Sequence, residues 1–156
     1  IDLVKEFDNV IVLRTISKGY SLAGLRLGFG VANPTLLSGL FKVKDSYNID
    51  AVAIAVGTAA MRDQTYKNQC AEKVKVSRSK LAIDLKNLGF IPMESHGNFI
   101  LATAPQDAET LYLGLKDRGI LVRYFKQIGL EDKLRISVGT PEQNDLLLEA
   151  LVSLIK

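Results

Sequence analysis

One cysteine, Cys70, and one histidine, His96, are all that 156 residues offer of the strongest metal-binding side chains. A lone thiol excludes an internal disulfide and cannot assemble a thiolate metal cluster, so no metal site is expected and a reducing, cytoplasmic setting fits best. His96 has no neighbours at ligand or triad spacing and stands beside Gly97, where a turn residue is the simpler reading. Long apolar runs are missing as well. No stretch reaches bilayer-spanning length, and no cationic leader or cleavage site opens the chain, which begins on Ile1 rather than Met. The expectation is a soluble segment of a longer protein, with no membrane partner. Charge of one sign is scarce too: the net charge is +3, and the basic residues are spread without clusters or aromatic interleaving, so nucleic-acid binding is not expected.

What the chain does have is 47% apolar content, enough to bury a core. Val10 to Leu13 (VIVL) form a continuous apolar run, as expected of a strand buried on both faces in a parallel sheet. The following ISKGYSLAG has loop composition, and Leu25 to Ala32 resume strand-like alternation. Asn33 and Pro34 read as the cap and first residue of a helix over Leu36 to Val43. Asp50 caps a long helical region that runs to about Leu88, with Gly89 as its stop. Short strands are expected over Phe90 to Met93, Phe99 to Thr103, Ile120 to Tyr124 and Leu134 to Val138, with a helix over Ala108 to Asp117 stopped by Gly119. Thr140, Pro141 and Gln143 open a final helix with a capping box. No internal repeat is visible. The region after about Asn48 therefore reads as a small α+β lobe. The front of the chain reads differently, because one strand and one neighbour cannot make a sheet covered on both faces. Those strands are expected to belong to a larger sheet.

The informative stretch for chemistry is Arg14 to Phe29, RTISKGYSLAGLRLGF. A lysine just past a strand can be presented into a cleft, and Arg26 follows at the start of the next strand. A Schiff-base cofactor needs such an amine, together with a fixed cation and hydroxyl donors for its phosphate. Arginine suits the second task because its planar fork matches phosphate oxygens. By themselves, lysines and arginines in loops are usually just solvated. Arg135, in KLRISVGTPEQN, lies between Leu134 and Ile136, where partial burial and an anionic partner are expected; an internal ion pair is the plainer alternative.

These segments closely resemble the fold-type I pyridoxal-phosphate-dependent aminotransferases, and within them the histidinol-phosphate aminotransferase branch. The resemblance rests on RTISK…LAGLRLGF, GILVRYF, KLRISVGTPEQN, DSYNID and GNFIL, and it is co-linear over essentially the whole chain. It implies an α/β fold, the carboxyl-terminal part of such a transferase: residues 1–48 end the large cofactor-binding domain, a remnant of its sheet, and residues 49–156 supply the interdomain helix and a small α+β domain. It implies that Lys18 forms the Schiff base with pyridoxal 5′-phosphate and moves the proton between substrate and cofactor, with Thr15, Ser17 and Arg26 lining the phosphate. On the substrate side it implies Arg135 for a carboxylate, Arg123 for the substrate phosphate, and Asn98 and Tyr47 nearby. Ser46 replaces the proline customary before that tyrosine, and His96 and Gly97 depart from the usual small residues before Asn98. The structural alternatives are turn-satisfying roles for Thr15 and Ser17 and packing against a helix start for Tyr47; Tyr20 reads as packing.

The implied activity of the whole protein is transamination of L-histidinol phosphate with 2-oxoglutarate in histidine biosynthesis, by a cytoplasmic homodimer acting on small amino-acid and 2-oxo-acid substrates. Another aminotransferase of this fold, a threonine-phosphate decarboxylase, or a non-catalytic structural fragment are the alternatives. The family's acidic residue facing the pyridine nitrogen and its ring-stacking aromatic precede the lysine and are not in this sequence, so the isolated 156 residues are expected to be inactive.

Overall fold

The computed structural model describes residues 1–155, and within them the chain separates into two compact units, one of Ile1–Cys70 and one that begins at Ala71. The first holds a short helix α1 (Leu3–Glu6), strands β1 (Ile11–Thr15) and β2 (Gly28–Ala32), helices α2 (Pro34–Val43) and α3 (Ala51–Arg62), and the start of α4 (Gln64–Asn87). The division falls inside α4, so α3 groups with the first unit.

Strands β1 and β2 form an antiparallel two-stranded ribbon, with Thr15 opposite Gly28 and Ile11 opposite Ala32. Among the described residues β2 is the partner of β1 and runs antiparallel to it, so the parallel neighbours expected of β1 in a larger sheet are not among them. An apolar run signals that a strand wants cover but not its partner's direction; here the loop of residues 16–27 closes at its neck, Ile16 N–H to the Leu27 carbonyl, and returns the chain antiparallel. The expected burial is absent as well: of β1 only Val12 is partly shielded, and Leu13 is 74% exposed, because a two-stranded ribbon has no further layer to cover it.

The helix starts follow their caps. Asn33 Oδ1 accepts from Thr35 N–H at 2.9 Å, and Asp50 Oδ1 accepts from Ala53 N–H at 2.8 Å. The single long helix expected from Asp50 onward is instead two. It breaks at Asp63, whose N–H still donates to Ala59 and Ala60 carbonyls while its carboxylate accepts from Tyr66 N–H at 3.0 Å. A short acidic side chain able to bond the backbone ahead of it ends one helix and starts the next.

The second unit places β3 (Ile91–Pro92), β4 (Phe99–Thr103), β5 (Arg123–Tyr124) and β6 (Lys133–Ser137) in one antiparallel sheet of order β3-β4-β6-β5. Helices α5 (Ala108–Asp117) and α6 (Pro141–Leu154) complete it. Strand alternation divides the sheet into two faces. Ile100, Ala102, Leu134 and Ile136 point to the core, where they meet Leu81 and Leu85 of α4, Leu111 and Leu115 of α5, and Leu147 and Leu151 of α6. The opposite face carries Phe99, Leu101, Arg135 and Arg123. Gly89 (φ +85°) and Gly119 (φ +75°) end α4 and α5 in the left-handed conformation that glycine adopts most readily.

Candidate active site

Lys18 and Arg26 sit on one hairpin loop. Its neck is closed where Ile16 N–H donates to the Leu27 carbonyl at 3.3 Å, one step beyond the Thr15–Gly28 pair. Lys18 is exposed, and among the described residues its ammonium has neither an ion pair nor a hydrogen-bond partner. Thr15 Oγ1 accepts from Ser17 N–H at 3.1 Å and donates to Ser17 Oγ at 2.8 Å. Thr15 thus satisfies the turn, and Ser17 keeps its hydroxyl proton for a further acceptor.

The strand expected from Leu25 starts later, at Gly28. A turn of 3-10 helix occupies Ala23–Leu25, and Arg26 follows it in the left-handed conformation (φ +53°, ψ 34°). That region costs a residue with a Cβ about 1–2 kcal/mol, and such strain concentrates at functional sites. Arg26 Nη1 donates to the Ala23 carbonyl at 3.1 Å, and no carboxylate pairs with its guanidinium among the described residues. The loop therefore presents an amine, a hydroxyl and a guanidinium, a donor set that suits a phosphorylated aldehyde.

In the second unit, Arg123 and Arg135 are register partners across β5 and β6, with both side chains on the face away from the helices. Arg135 is exposed rather than partly buried: Leu134 and Ile136, its apolar neighbours in sequence, point through the sheet to the other side. Neither arginine has a carboxylate partner among the described residues. Their contacts are aromatic. Arg123 Cζ lies 5.4 Å from the Phe125 ring centre, and Arg135 Cζ lies 5.9 Å from the same ring and 5.3 Å from that of Phe99. Like charges directly opposite one another are unfavourable, so an anion bound between them is the natural complement. Phe125 was missed as a sequence candidate, although strand alternation places it on the face of Arg123.

Asn98 is exposed at the start of β4 and its carbonyl accepts from Val138 N–H at 2.9 Å. Tyr47 is 84% exposed in the loop after α2, so it does not pack against a helix start. That loop is held by Lys44, whose Nζ donates to the Asp45 carbonyl at 2.7 Å and the Tyr47 carbonyl at 3.2 Å. Tyr20 Oη accepts from Gln64 Nε2 at 2.9 Å, a structural role. A cavity of about 530 Å³ between α4 and β3 contains none of these residues. No group of side chains among the described residues could hold a metal ion, and no helix is long and apolar enough to cross a membrane.

On the helical side of the same strands, partial burial holds the Tyr124 hydroxyl above its ordinary value, reinforced by Glu109 and Asp107. The Asp107 carboxylate is held below its ordinary value by the Thr110 hydroxyl and N–H.

The family model for aminotransferase class I and II matches residues 1–151. A histidinol-phosphate aminotransferase of Trichormus variabilis is 63% identical over all of this chain and 45% of its own length. One of Microcystis aeruginosa is 47% identical over 97% of this chain and 44% of its own. The chain thus spans under half the length of these relatives. Among solved structures, the histidinol-phosphate aminotransferase of Sinorhizobium meliloti in complex with pyridoxal-5′-phosphate matches 95% of this chain and 41% of its own, with 30% identity and a TM-score of 0.83. A strained arginine on the same loop as a lysine, a sheet face carrying two arginines without a carboxylate partner among the described residues, and a family match over residues 1–151 lead to one conclusion: the chain belongs to the class I and II aminotransferases.

Proposed function

We propose that this chain is the carboxyl-terminal part of a pyridoxal-phosphate-dependent aminotransferase, active as a cytoplasmic homodimer, that converts L-histidinol phosphate and 2-oxoglutarate to imidazole-acetol phosphate and L-glutamate. The observation that carries the reading is the facing pair Arg123 and Arg135. Two guanidiniums held opposite each other without a carboxylate partner among the described residues select substrates that bring their own negative charge, and both amino-group partners in this reaction do so.

Each residue then has a task. Lys18 holds the cofactor through its amine, Ser17 and Arg26 grip its phosphate, and Thr15 orients the Ser17 hydroxyl toward it, with the strained Arg26 backbone aiming the guanidinium. The cofactor, when bound, supplies a ring that delocalises the charge left on a substrate carbon after deprotonation. Lys18 Nζ takes that proton and returns it during the amino exchange. Arg135 pairs with the carboxylate of the acid substrate and Arg123 with the phosphate of the other, while Asn98 and Tyr47 contact the substrate from their exposed loops. The remaining part of the protein completes the cofactor's surroundings, and the isolated chain does not turn over.

The test is turnover by the full-length protein of histidinol phosphate against unphosphorylated histidinol and aromatic amino acids. Strong preference for the phosphorylated amine supports the assignment. Preference for an unphosphorylated amine, or carbon dioxide release from threonine phosphate, points to another activity of the same fold.

A further inference from the structure

We infer that Gly57, on α3, is a positioning residue for both Lys18 and Arg26, acting through Leu27 and Ile16; the inference rests on the cofactor role proposed above. Helix α3 buries only two residues, Ala53 and Gly57, one turn apart on one face, while Val52 and Ile54 remain more than half exposed. A Cβ added at Gly57 would overlap Leu27 Cδ2 and lie 3.6 Å from Ile16 Cδ1. These two side chains are the two sides of the hairpin neck, joined by the hydrogen bond from Ile16 N–H to the Leu27 carbonyl. Ile16 is 1% exposed, which makes it the anchored residue of the loop.

The neighbours of these two residues give the contact its consequence. Leu27 follows directly on Arg26, whose left-handed backbone tolerates little adjustment, and Ile16 lies two residues before Lys18. Leu22 N–H also returns to the Ile16 carbonyl at 3.4 Å, so the loop is tied internally to the same residue. A helix that seats Leu27 and Ile16 at a bare α-carbon fixes where the amine and the guanidinium leave the neck. A methyl at Gly57 forces the Leu27 side chain off that seat, while its 3.6 Å approach to Ile16 is ordinary contact, so the strain falls on the Arg26 side of the neck and shifts the guanidinium relative to the amine. Gly39 on α2 has open space around it and provides the control.

The experiment is a double-mutant cycle in the full-length protein, titrated with pyridoxal phosphate itself and followed by borohydride reduction and peptide mapping. Gly57→Ala is expected to weaken cofactor affinity about 10- to 100-fold, the cost of misplacing groups by about an ångström. Leu27→Ala alone loosens the neck and weakens affinity too. The pair Gly57→Ala with Leu27→Ala restores affinity toward wild type, because the new methyl occupies the space vacated. Gly39→Ala leaves it unchanged. Thermal melting separates this from a general effect, since alanine in a helix interior raises the melting temperature where glycine's only cost is conformational. Wild-type affinity in Gly57→Ala, or no recovery in the double variant, overturns the inference. If Gly57→Ala does not fold, wild-type affinity in Leu27→Ala overturns it instead. Failure of the wild-type protein to take the cofactor on Lys18 removes the functional reading along with it, whereas labelling at Lys18 with a null cycle removes the Gly57 role alone.

Discussion

Arg123 and Arg135 face each other across β5 and β6 and share the ring of Phe125, so the sheet holds two cations in register on an aromatic floor. Replacing either with glutamine removes a charge partner from a bound anion. The expected loss is about 1.5–3 kcal/mol of substrate binding per arginine in the full-length protein, the worth of a hydrogen bond to a charged group. Without an anion two small terms oppose: each variant relieves like-charge repulsion of about 0.2–1 kcal/mol and loses cation–π contact with Phe125 worth about 0.5–1 kcal/mol, so the stability of the second unit changes little. Denaturant unfolding with and without inorganic phosphate checks both. Phosphate should stabilise the wild type more than either variant.

Asn144 ties the turn after β6 to α4. Its Oδ1 accepts from Gly139 N–H at 3.0 Å, its Nδ2 donates to Ser77 Oγ at 2.8 Å, and Ser77 Oγ donates to the Gly139 carbonyl at 2.9 Å. At 7% exposure the residue is buried, and its removal strands the Gly139 N–H. Asn144→Ala should cost about 1–3 kcal/mol, with Ser77→Ala milder and the double variant less than additive. Chemical denaturation of the three variants measures this.

The Asp107 side chain caps α5, accepting from Thr110 N–H at 2.7 Å and from its hydroxyl. These bonds lower its folded-state pKa beneath the ordinary 3.8, the hydroxyl first and the N–H second. A depressed carboxylate contributes stability that is complete above its unfolded value and lost as pH falls through the folded one. The gap in melting temperature between wild type and Asp107→Asn should therefore be constant near neutral pH and narrow below about pH 3.8. A gap that widens in acid contradicts the capping role.

Much of this architecture is legible in the residues, because local signals and tertiary structure agree. Asn33, Asp50, Asp107 and Thr140 each cap the helix they precede, and Gly89 and Gly119 stop theirs. The apolar run of β1 misleads because it reports a wish for burial without the direction of its partner. The break at Asp63 was legible in principle, since a short acidic residue ahead of Gln64 and Thr65 is a cap; the helix-forming composition that continues on both sides hid it. Arg135 shows the same limit at the site. Its sequence neighbours are buried, but alternation sends it to the open face. The seat at Gly57 lies beyond sequence reasoning altogether, because it depends on which side chains arrive from another element.

The identity of the cofactor lysine can be read directly by incubating the full-length protein with pyridoxal phosphate, reducing with borohydride and mapping the adduct by peptide mass spectrometry. A single adduct on Lys18 that disappears in Lys18→Ala is the predicted result. An adduct on another lysine, or labelling unchanged in Lys18→Ala, contradicts it.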